Sequence, residues 1–243
     1  MRRKIKKINK YPLYDYERIK EDKKNIYLFM QFYISPNRER YEEVKFCLQK
    51  NLDNPYIEKI YLLNEKIYTD EELGVNKNDK IIQIDIGERL TYKRSFEFMK
   101  TLEESYCVLA NSDIFLDESI KNVKVGVLDT KPIMQALLRY EYKKDKDLEE
   151  LKTFNYPRME PGAQDTWIIN NKFIDKINLN LVNFSLGVGG CDNAVIHRIK
   201  TCGIEIYNEP FLIKTYHVHQ NGYRIWENKL RIPPPYLFVK PIV

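Results

Sequence analysis

The stretch YCVLANSDIFLD, residues 106–117, decides the fold class of this 243-residue chain. Its first five residues are apolar or aromatic, as expected of a strand that is buried on both faces of a parallel sheet. The apolar run stops at Asn111-Ser112-Asp113. Because parallel α/β sheets bind ligands beyond the carboxyl ends of their strands, this tripeptide stands where a binding site is expected.

The sequence before this stretch alternates short apolar runs with helical patterns. It predicts strands at residues 25–34, 57–63 and 80–86, and helices from Pro36 to the Asn54-Pro55 stop and at residues 69–73 and 92–102. Ser35 and Thr91 are expected to cap the first and third helices. Alternating strands and helices with short connections imply a parallel, right-handed α/β sheet.

The second half of the chain is less regular. It predicts strands at residues 133–142, 165–169, 204–207 and 211–219, and a helix at residues 193–201. The glycine-rich stretch 187–190 precedes that helix and allows a sharp turn or the close approach of a ligand. At this length we expect a single domain, residues 25–243, after a basic extension, residues 1–24.

The net charge of the chain is concentrated at its start. Forty Lys and Arg against 35 Asp and Glu give +5, but residues 1–10 hold six basic residues and no acidic one, which leaves −1 for the rest. A basic arm attracts nucleic acid and other polyanions. A nucleic-acid-associated protein that binds through this arm is one alternative, but the nearly neutral body makes nucleic acid the less favoured partner.

The cysteines and the apolar runs indicate the cellular compartment in which we expect the protein. Cys47, Cys107, Cys191 and Cys202 form no C-x-x-C pair and lie in or beside apolar patterns, which favours buried, reduced thiols over a disulfide or zinc framework. The longest apolar stretch, residues 26–34, is far shorter than the roughly 20 residues of a membrane-spanning helix. With no signal-peptide pattern either, we expect a cytoplasmic protein without a transmembrane segment.

Three groups of polar residues lie near the ends of predicted elements. Asn111 and Asp113 offer the amide and carboxylate oxygens that hold a divalent cation, or they close the strand in an Asx turn. Asp192 is placed to be either a general base or the N-cap of the following helix. His217 and His219 are two residues apart on a predicted strand, so both imidazoles point to one face, towards a metal or a phosphate group.

A fourth group has the composition of a sugar-binding site. Gln164, Asp165 and Trp167 combine an amide, a carboxylate and an indole, although a tryptophan buried at a strand start would give the same pattern. Arg94 and Arg139 lie early in a helix and in a strand, from which either could reach a diphosphate. The P-loop, G-x-G-x-x-G, G-x-S-x-G and H-E-x-x-H motifs do not occur, which removes the commonest NTPase, dinucleotide-dependent, hydrolase and metalloprotease functions.

The order of these motifs over about residues 25–224 resembles the nucleotide-sugar-dependent glycosyltransferases of the GT-A fold, of the GT2-like, inverting type. In that family a D-x-D motif binds the metal and the donor diphosphate; Asp113 matches its last position, and Asn111 stands in place of its first aspartate. An acidic pair that opens a helix supplies the base; Asp192 matches the second acid, and Cys191 replaces the first. The resemblance implies a Rossmann-type, mostly parallel central sheet flanked by helices in one domain.

The resemblance also implies an activity and a set of roles. The chain would move a sugar from a UDP- or GDP-sugar to a hydroxyl of a glycan or glycoprotein, with Mn²⁺ or Mg²⁺ as cofactor. Asp192 would be the catalytic base, and Asp113 and His217 would hold the metal. The donor diphosphate would contact Arg94, Asn111, Ser112 and Asp113. The sugars would contact Gln164, Asp165, Trp167, Gly190 and His219. A catalytically inactive, sugar-binding GT-A-like domain stays open as an alternative, because Asn and Cys stand where the family has acids.

Overall fold

A computed structural model describes residues 22–76, 78–159, 162–219 and 231–242 of the chain. The strands are β1 (Ile26–Met30), β2 (Lys59–Asn64), β3 (Ile81–Asp85), β4 (Tyr106–Ala110), β5 (Ile114–Leu116), β6 (Ile133–Leu138), β7 (Tyr140–Glu141), β8 (Gln164–Asn170), β9 (Glu205–Tyr207) and β10 (Thr215–His217). The α-helices are α1 (Arg38–Asp53), α2 (Asp70–Leu73), α3 (Tyr92–Met99) and α4 (Cys191–Thr201). Short 3₁₀ helices cover Glu118–Val125, Leu148–Glu150, Asn171–Lys176 and Leu179–Val182.

Within the described residues, seven strands form a central sheet in the order β3-β2-β1-β4-β8-β6-β9. Strands β1 to β4 pair in parallel, and β9 is parallel to β6. Strand β8 runs antiparallel to both of its neighbours, β4 and β6. The predicted mostly parallel α/β sheet is therefore confirmed. The reversed strand places the start of β8 beside the end of β4, so residues far apart in sequence meet at one edge of the sheet.

The core lies on both faces of this sheet, which explains the uninterrupted apolar runs. Successive side chains of a strand point to opposite faces. Leu28 of β1 packs with Leu48 of α1 on one face, and Phe29 packs with Phe96 of α3 on the other. All of these side chains are buried. A strand covered by helices on both sides has no solvent face, so it shows no alternation of polar and apolar residues.

The helix starts follow from capping side chains. Thr91 caps α3 as predicted, since its Oγ1 accepts a hydrogen bond from the Arg94 amide at 3.1 Å. The prediction that Ser35 caps α1 is wrong, because Asn37 is the N-cap and its side chain accepts from the Arg40 amide at 2.8 Å. The chain is still non-helical at Pro36, so α1 begins two residues later than the sequence predicts.

Several predicted elements have different bounds in the structure, and three of them bear on the site. The predicted strand at residues 211–219 shrinks to β10, because the Leu212 and Ile213 amides both donate to the carbonyl of Glu209 and turn the chain. The predicted strand at residues 133–142 divides into β6 and β7, because β7 leaves the central sheet and pairs with β10. The last helix, α4, begins at Cys191, two residues earlier than predicted.

The segment of residues 231–242, here called the C-terminal strap, runs without helix or strand along the start of α4. The Ile232 amide donates to the Gly189 carbonyl at 2.9 Å, and the Leu237 amide donates to the Asn193 carbonyl at 3.0 Å. All four cysteines are free thiols, and three of them are buried, as predicted. Among the residues that the structure describes, no helix is long and apolar enough to cross a bilayer.

Candidate functional site

The site is built at the carboxyl edge of the central sheet, where β4 ends. The tripeptide at residues 111–113 forms a tight turn, in which the Ile114 amide donates to the Asn111 carbonyl at 3.1 Å. The Asn111 amide donates to the carbonyl of Asp165 at 3.1 Å, across from β4 to the antiparallel strand β8. Arg139 follows the end of β6 at the same edge. The topology therefore gathers polar residues from three strand ends.

The predicted metal ligands Asp113 and His217 lie next to each other in the structure. Strand β10 pairs antiparallel with β5, and the Val218 amide donates to the Asp113 carbonyl at 2.9 Å. This pairing brings His217 Nε2 to 3.1 Å from Asp113 Oδ2. On the other side of the ring, Nδ1 lies 3.2 Å from Oε2 of Glu141. The imidazole is thus held between two carboxylates, and the three side chains come from three different strand ends.

Arg40 of α1 completes this group of charges. Its guanidinium donates to Asp113 Oδ2 at 2.5 Å and to Glu43 Oε2 at 2.9 Å. Burial disfavours the charged form of Asp113, but the charges of His217 and Arg40 outweigh it and hold the pKa of Asp113 well below its usual range. Burial likewise disfavours the charged imidazole, but Asp113 and Glu141 raise the pKa of His217 to about 9.

A second group of charges continues from Glu141. Arg139 donates through Nε to Glu141 Oε1 at 2.8 Å and through Nη1 to Asp165 Oδ2. The other oxygen of Asp165 accepts from the Asn111 side-chain amide at 2.7 Å. The two groups form one chain of polar contacts, here called the charged network. Its members are Glu43, Arg40, Asp113, His217, Glu141, Arg139, Asp165 and Asn111.

The charged network contains carboxylate and imidazole groups of the kind that could hold a divalent cation. It contains four carboxylates and only two guanidinium groups, so a cation that displaces the proton of His217 is favoured electrostatically. In the described part of the chain, no three His, Cys, Asp or Glu side chains are grouped as ligands. The protein therefore offers the pair Asp113 and His217, with Glu141 behind the ring, and a cation there would need oxygens from a ligand to complete its shell.

Asp192 lies in the first turn of α4. The N-cap of this helix is Gly190, with a φ of 79°, so the alternative that Asp192 is the N-cap is wrong. The carboxylate accepts a hydrogen bond from the thiol of Cys191 at 3.0 Å. Burial and the nearby charge of Asp165 raise the pKa of Asp192 to about 8, against the opposing effects of Cys191 and Arg139. A carboxylate with this pKa can accept a proton near neutral pH.

The residues predicted to grip a sugar are placed differently. Trp167 is 1% exposed in the core, edge-on to Tyr92 with 5.0 Å between ring centroids, so its ring is closed to a sugar in this structure, as in the alternative of a tryptophan buried at a strand start. Gln164 is fully buried and donates to the Val239 carbonyl at 3.4 Å. Asp165 uses both carboxylate oxygens within the charged network. None of these three side chains is open to a ligand in this structure.

Of four other residues that were predicted to contact the donor or the sugars, some lie at the site and others do not. Arg94 is half exposed and forms an ion pair with Glu97 on its own helix at 3.7 Å, so the structure does not bring it into the charged network. His219 stacks on His217 with 5.5 Å between ring centroids, which keeps it at the site. Ser112 is half-buried in the turn after β4, and Gly190 caps the helix that carries the predicted base.

Sequence reasoning missed Arg40, Glu43 and Glu141. Arg40 is separated from Asp113 by 73 positions and reaches it only because α1 packs against β5. One local signal was available for Glu43: it lies three residues after Arg40 on the helix, at ion-pair spacing, and next to the apolar Val44. Glu141 gave no signal, since it belongs to a strand of only two residues.

Comparison with solved structures identifies the class of fold. The structure of GalNAc-T7 with UDP, GalNAc and Mn²⁺ matches with a TM-score of 0.52 over 83% of this chain and 45% of that chain, at 11% identity. The mannosyltransferase PcManGT from Pyrobaculum calidifontis, in complex with GDP-Man and Mn²⁺, matches with a TM-score of 0.50 over 82% of this chain and 58% of that chain, at 9% identity. The chain has the GT-A-like fold of nucleotide-sugar glycosyltransferases.

These matches concern the fold, because the identities are low, and the chain spans about half the length of the two structures. The sequence matches no protein-family model and no curated protein. The roles of individual residues therefore rest on the geometry of this chain's own site.

Proposed function

We propose that this protein transfers a sugar from a nucleotide-diphosphate donor, a UDP- or GDP-sugar, to a hydroxyl of a glycan or glycoprotein acceptor. One observation carries the proposal: Asp113 and His217 meet at 3.1 Å on the sheet edge, in electrostatic reach of Asp192 at the start of α4. A cation-binding pair beside a carboxylate of raised pKa provides the two functions that sugar transfer needs, stabilisation of the leaving diphosphate and removal of a proton.

The residues present fit a divalent cation. Asp113 and the Nε2 atom of His217 would hold Mn²⁺ or Mg²⁺, and the diphosphate oxygens of the donor would fill further positions. When bound, the cation supplies positive charge against the charge that develops on the leaving diphosphate. Glu141 accepts from Nδ1 and fixes the orientation of the ring, as carboxylates behind metal-binding histidines do.

The other side chains of the network act on the base through their charges. Asp165 is held by Arg139 and Asn111, within electrostatic reach of Asp192. Burial, together with the charge of Asp165, raises the pKa of Asp192 to about 8. Asp192 then takes the proton of the acceptor hydroxyl, whose oxygen attacks the anomeric carbon from the side opposite the nucleotide, while the bond from that carbon to the diphosphate breaks and the nucleoside diphosphate leaves. This arrangement gives inversion at the anomeric carbon.

The test is sugar transfer by the full chain with a panel of UDP- and GDP-sugars and Mn²⁺. The expected result is release of nucleotide by the wild type with at least one donor, and a loss of about 100-fold or more in Asp192→Asn, which removes the base. Asp145→Asn, a substitution at an exposed loop aspartate, is the matched control and should keep full activity. If no donor is hydrolysed or transferred by the wild type, the enzymatic function is wrong.

A second candidate function is a GT-A-like domain that binds sugars without catalysis. It is favoured by the Arg40 guanidinium, which lies on the Asp113 oxygen that a cation would use. Calorimetry separates the two functions. Binding of free sugar, with no binding of UDP or GDP in the presence of Mn²⁺, would support the sugar-binding domain and contradict the transferase.

The remaining proposals concern the chain as a whole. We assign residues 25–243 to the GT-A-like domain and residues 1–24 to a basic extension. We place the protein in the cytoplasm, since free thiols persist in a reducing compartment. Nucleic acid is not among the partners we propose, because the residues after the basic arm carry a net charge of only −1.

A further inference from the structure

Asp192 stands at the end of a short chain of hydrogen bonds that leads out of the core. The thiol of Cys191 donates to Asp192 Oδ1 at 3.0 Å. The hydroxyl of Tyr92 in turn donates to the sulfur of Cys191 at 3.6 Å. Among the described residues, the thiol is the one hydrogen-bond donor to the Asp192 carboxylate. The second oxygen, Oδ2, is left for another partner.

The members of this chain are fixed by their surroundings. Tyr92 is fully buried, lies edge-on to Trp167 and packs on Phe184 with 5.3 Å between ring centroids. Its amide donates to the Phe184 carbonyl at 3.1 Å. Cys191 is 1% exposed, and its amide donates to the Val188 carbonyl at 3.0 Å. Neither the hydroxyl nor the thiol can turn to water, so each keeps its protein partner.

The thiol also stays a donor over the whole working pH range. Burial and the charge of Asp192 hold the pKa of Cys191 well above its usual value. Burial does the same for the pKa of Tyr92. Both groups therefore remain protonated, and the direction of the two hydrogen bonds is set: hydroxyl to sulfur, thiol to carboxylate.

The thiol acts against other charges that reach Asp192. Asp165 and Asp113 both favour the protonated carboxyl, while Arg139 and the Cys191 hydrogen bond favour the carboxylate. Of the two favourable groups, Arg139 is engaged by Glu141 and Asp165. The thiol is thus the one group among the described residues that touches the carboxylate and stabilises its charged form.

We propose that Cys191 and Tyr92 are positioning residues, which hold Oδ1 of Asp192 in place and direct Oδ2 to the acceptor hydroxyl. The inference rests on the proposed function of Asp192 as the base. It also gives a role to the cysteine that stands where the family has an acid: a neutral donor replaces a second negative charge beside the base. Trp167 contributes to this positioning indirectly, because it packs against the Tyr92 ring.

The experiment measures kcat/KM against pH for Cys191→Ala, Cys191→Ser and Tyr92→Phe. Cys191→Ala removes the donor, so the apparent pKa of the base should rise by about half to one unit, and kcat/KM at pH 7 should fall about three- to tenfold. The part of the loss that comes from the raised pKa should disappear at alkaline pH, where the base is ionised in both proteins, so the loss should be smaller there than at pH 7. Cys191→Ser keeps a donor and should restore the wild-type profile. Tyr92→Phe should shift the profile in the same direction, by less.

Cys107→Ala is the matched control, since Cys107 is an equally buried thiol that contacts Ser105 instead of the site. It should leave the pH profile unchanged. A loss in Cys191→Ala that is equal at all pH values, or an identical shift in Cys107→Ala, would overturn the proposal, because both are the result of a packing defect. The same would follow if Cys191→Ser behaved like Cys191→Ala.

A second readout separates this inference from the proposed function. Titration of the Asp192 carboxyl carbon by NMR reports the pKa of the aspartate without substrate. An upward shift in Cys191→Ala supports the hydrogen-bond chain even if no sugar transfer is found, in which case the proposed function fails alone. Transfer activity together with an unshifted titration overturns the chain and leaves the proposed function intact.

Discussion

At the scale of single residues, the raised pKa of Asp192 makes the stability of the fold depend on pH. An unfolded chain ionises this aspartate near pH 4, as an ordinary carboxyl does. In the folded protein its pKa is about 8, because burial and Asp165 disfavour the charge. Between these pH values the folded state holds a proton that the unfolded state has released. The contribution of Asp192 to the free energy of unfolding therefore falls as the pH rises from about 4 to about 8 and does not recover above it.

Asp192→Asn should for this reason stabilise the protein, and more so at high pH. The amide is neutral at every pH and keeps an oxygen that accepts from the Cys191 thiol. We expect a gain in melting temperature that is small at pH 5 and largest at pH 8 to 9, measured by thermal unfolding across that range. Asp145→Asn on the exposed loop is the control. A gain that does not depend on pH would contradict the raised pKa of Asp192.

Glu141 is the residue through which the orientation of His217 can be tested. Its Oε2 lies 3.2 Å from Nδ1 of the imidazole, and its Oε1 accepts from Arg139. Glu141→Gln keeps the shape and removes the charge. We expect the affinity for Mn²⁺ in the presence of UDP, and separately of GDP, to fall about tenfold, as for other carboxylates behind a metal-binding histidine. Titration calorimetry measures it.

The control for this substitution is Glu149→Gln, an exposed glutamate in the 3₁₀ turn at Leu148–Glu150. It should bind Mn²⁺ as the wild type does. Equal affinities for Glu141→Gln and the wild type would mean that the ring of His217 is not part of a cation site.

At the scale of elements, the start of α4 depends on a glycine for two reasons. Gly190 has a φ of 79°, which side chains with a Cβ rarely adopt. A Cβ built there would lie 2.9 Å from the Tyr236 hydroxyl and 3.2 Å from the Ile232 carbonyl, both in the C-terminal strap. Gly203 has nearly the same φ, 82°, but a Cβ added to it would meet nothing within 4 Å.

These two glycines allow two contributions to the free energy of unfolding to be separated: the cost of a left-handed backbone and the cost of a contact with the strap. Gly203→Ala should lose about 1 kcal/mol of unfolding free energy, the cost of the left-handed backbone alone. Gly190→Ala should lose about 1 to 3 kcal/mol more, because the strap must also move. Urea unfolding measures both values. Equal losses in the two variants would show that the strap does not press on the start of α4.

The strands and helices that the sequence predicts well are those determined by residues close together in the sequence. Strand β4 is a continuous apolar run because helices cover both faces of the sheet, and Thr91 caps α3 through its own side chain. The reversed direction of β8 has no such signal. Direction depends on which strands pair, and pairing joins residues more than fifty positions apart, such as Leu109 and Trp167.

The same distinction between local and long-range signals explains which residues of the candidate site could be predicted. Asp113 and Asp192 can be found in the sequence because they directly follow an apolar run and a glycine-rich stretch. Trp167 resembles a sugar contact because the sequence contains its polar neighbours but not the side chains that bury it. Arg40 escapes prediction because its partner Asp113 is reached only through the packing of α1 on β5.

At the scale of the whole molecule, the charges form two separate groups, the charged network and the basic arm, to which we assign different functions. The charged network is buried and rich in carboxylates, and under the proposed function it would hold a single cation and, through that cation, one diphosphate. The six basic residues of positions 1–10 precede the first described residue, Asp22, and the remainder of the chain carries −1. Attraction to extended polyanions should therefore reside in the arm, and recognition of the donor should reside in the folded body.

Deletion of residues 1–10 tests this separation directly. Binding to heparin or to a single-stranded oligonucleotide should be lost at about 0.15 M salt, since the Debye length there is about 8 Å and the body offers no net positive charge. Melting temperature and transfer from the donor sugar should stay unchanged. The matched control replaces the six basic residues of the arm by glutamine, which keeps its length. If polyanion binding survives both changes, a basic face lies on the body, and the nucleic-acid-associated alternative regains support.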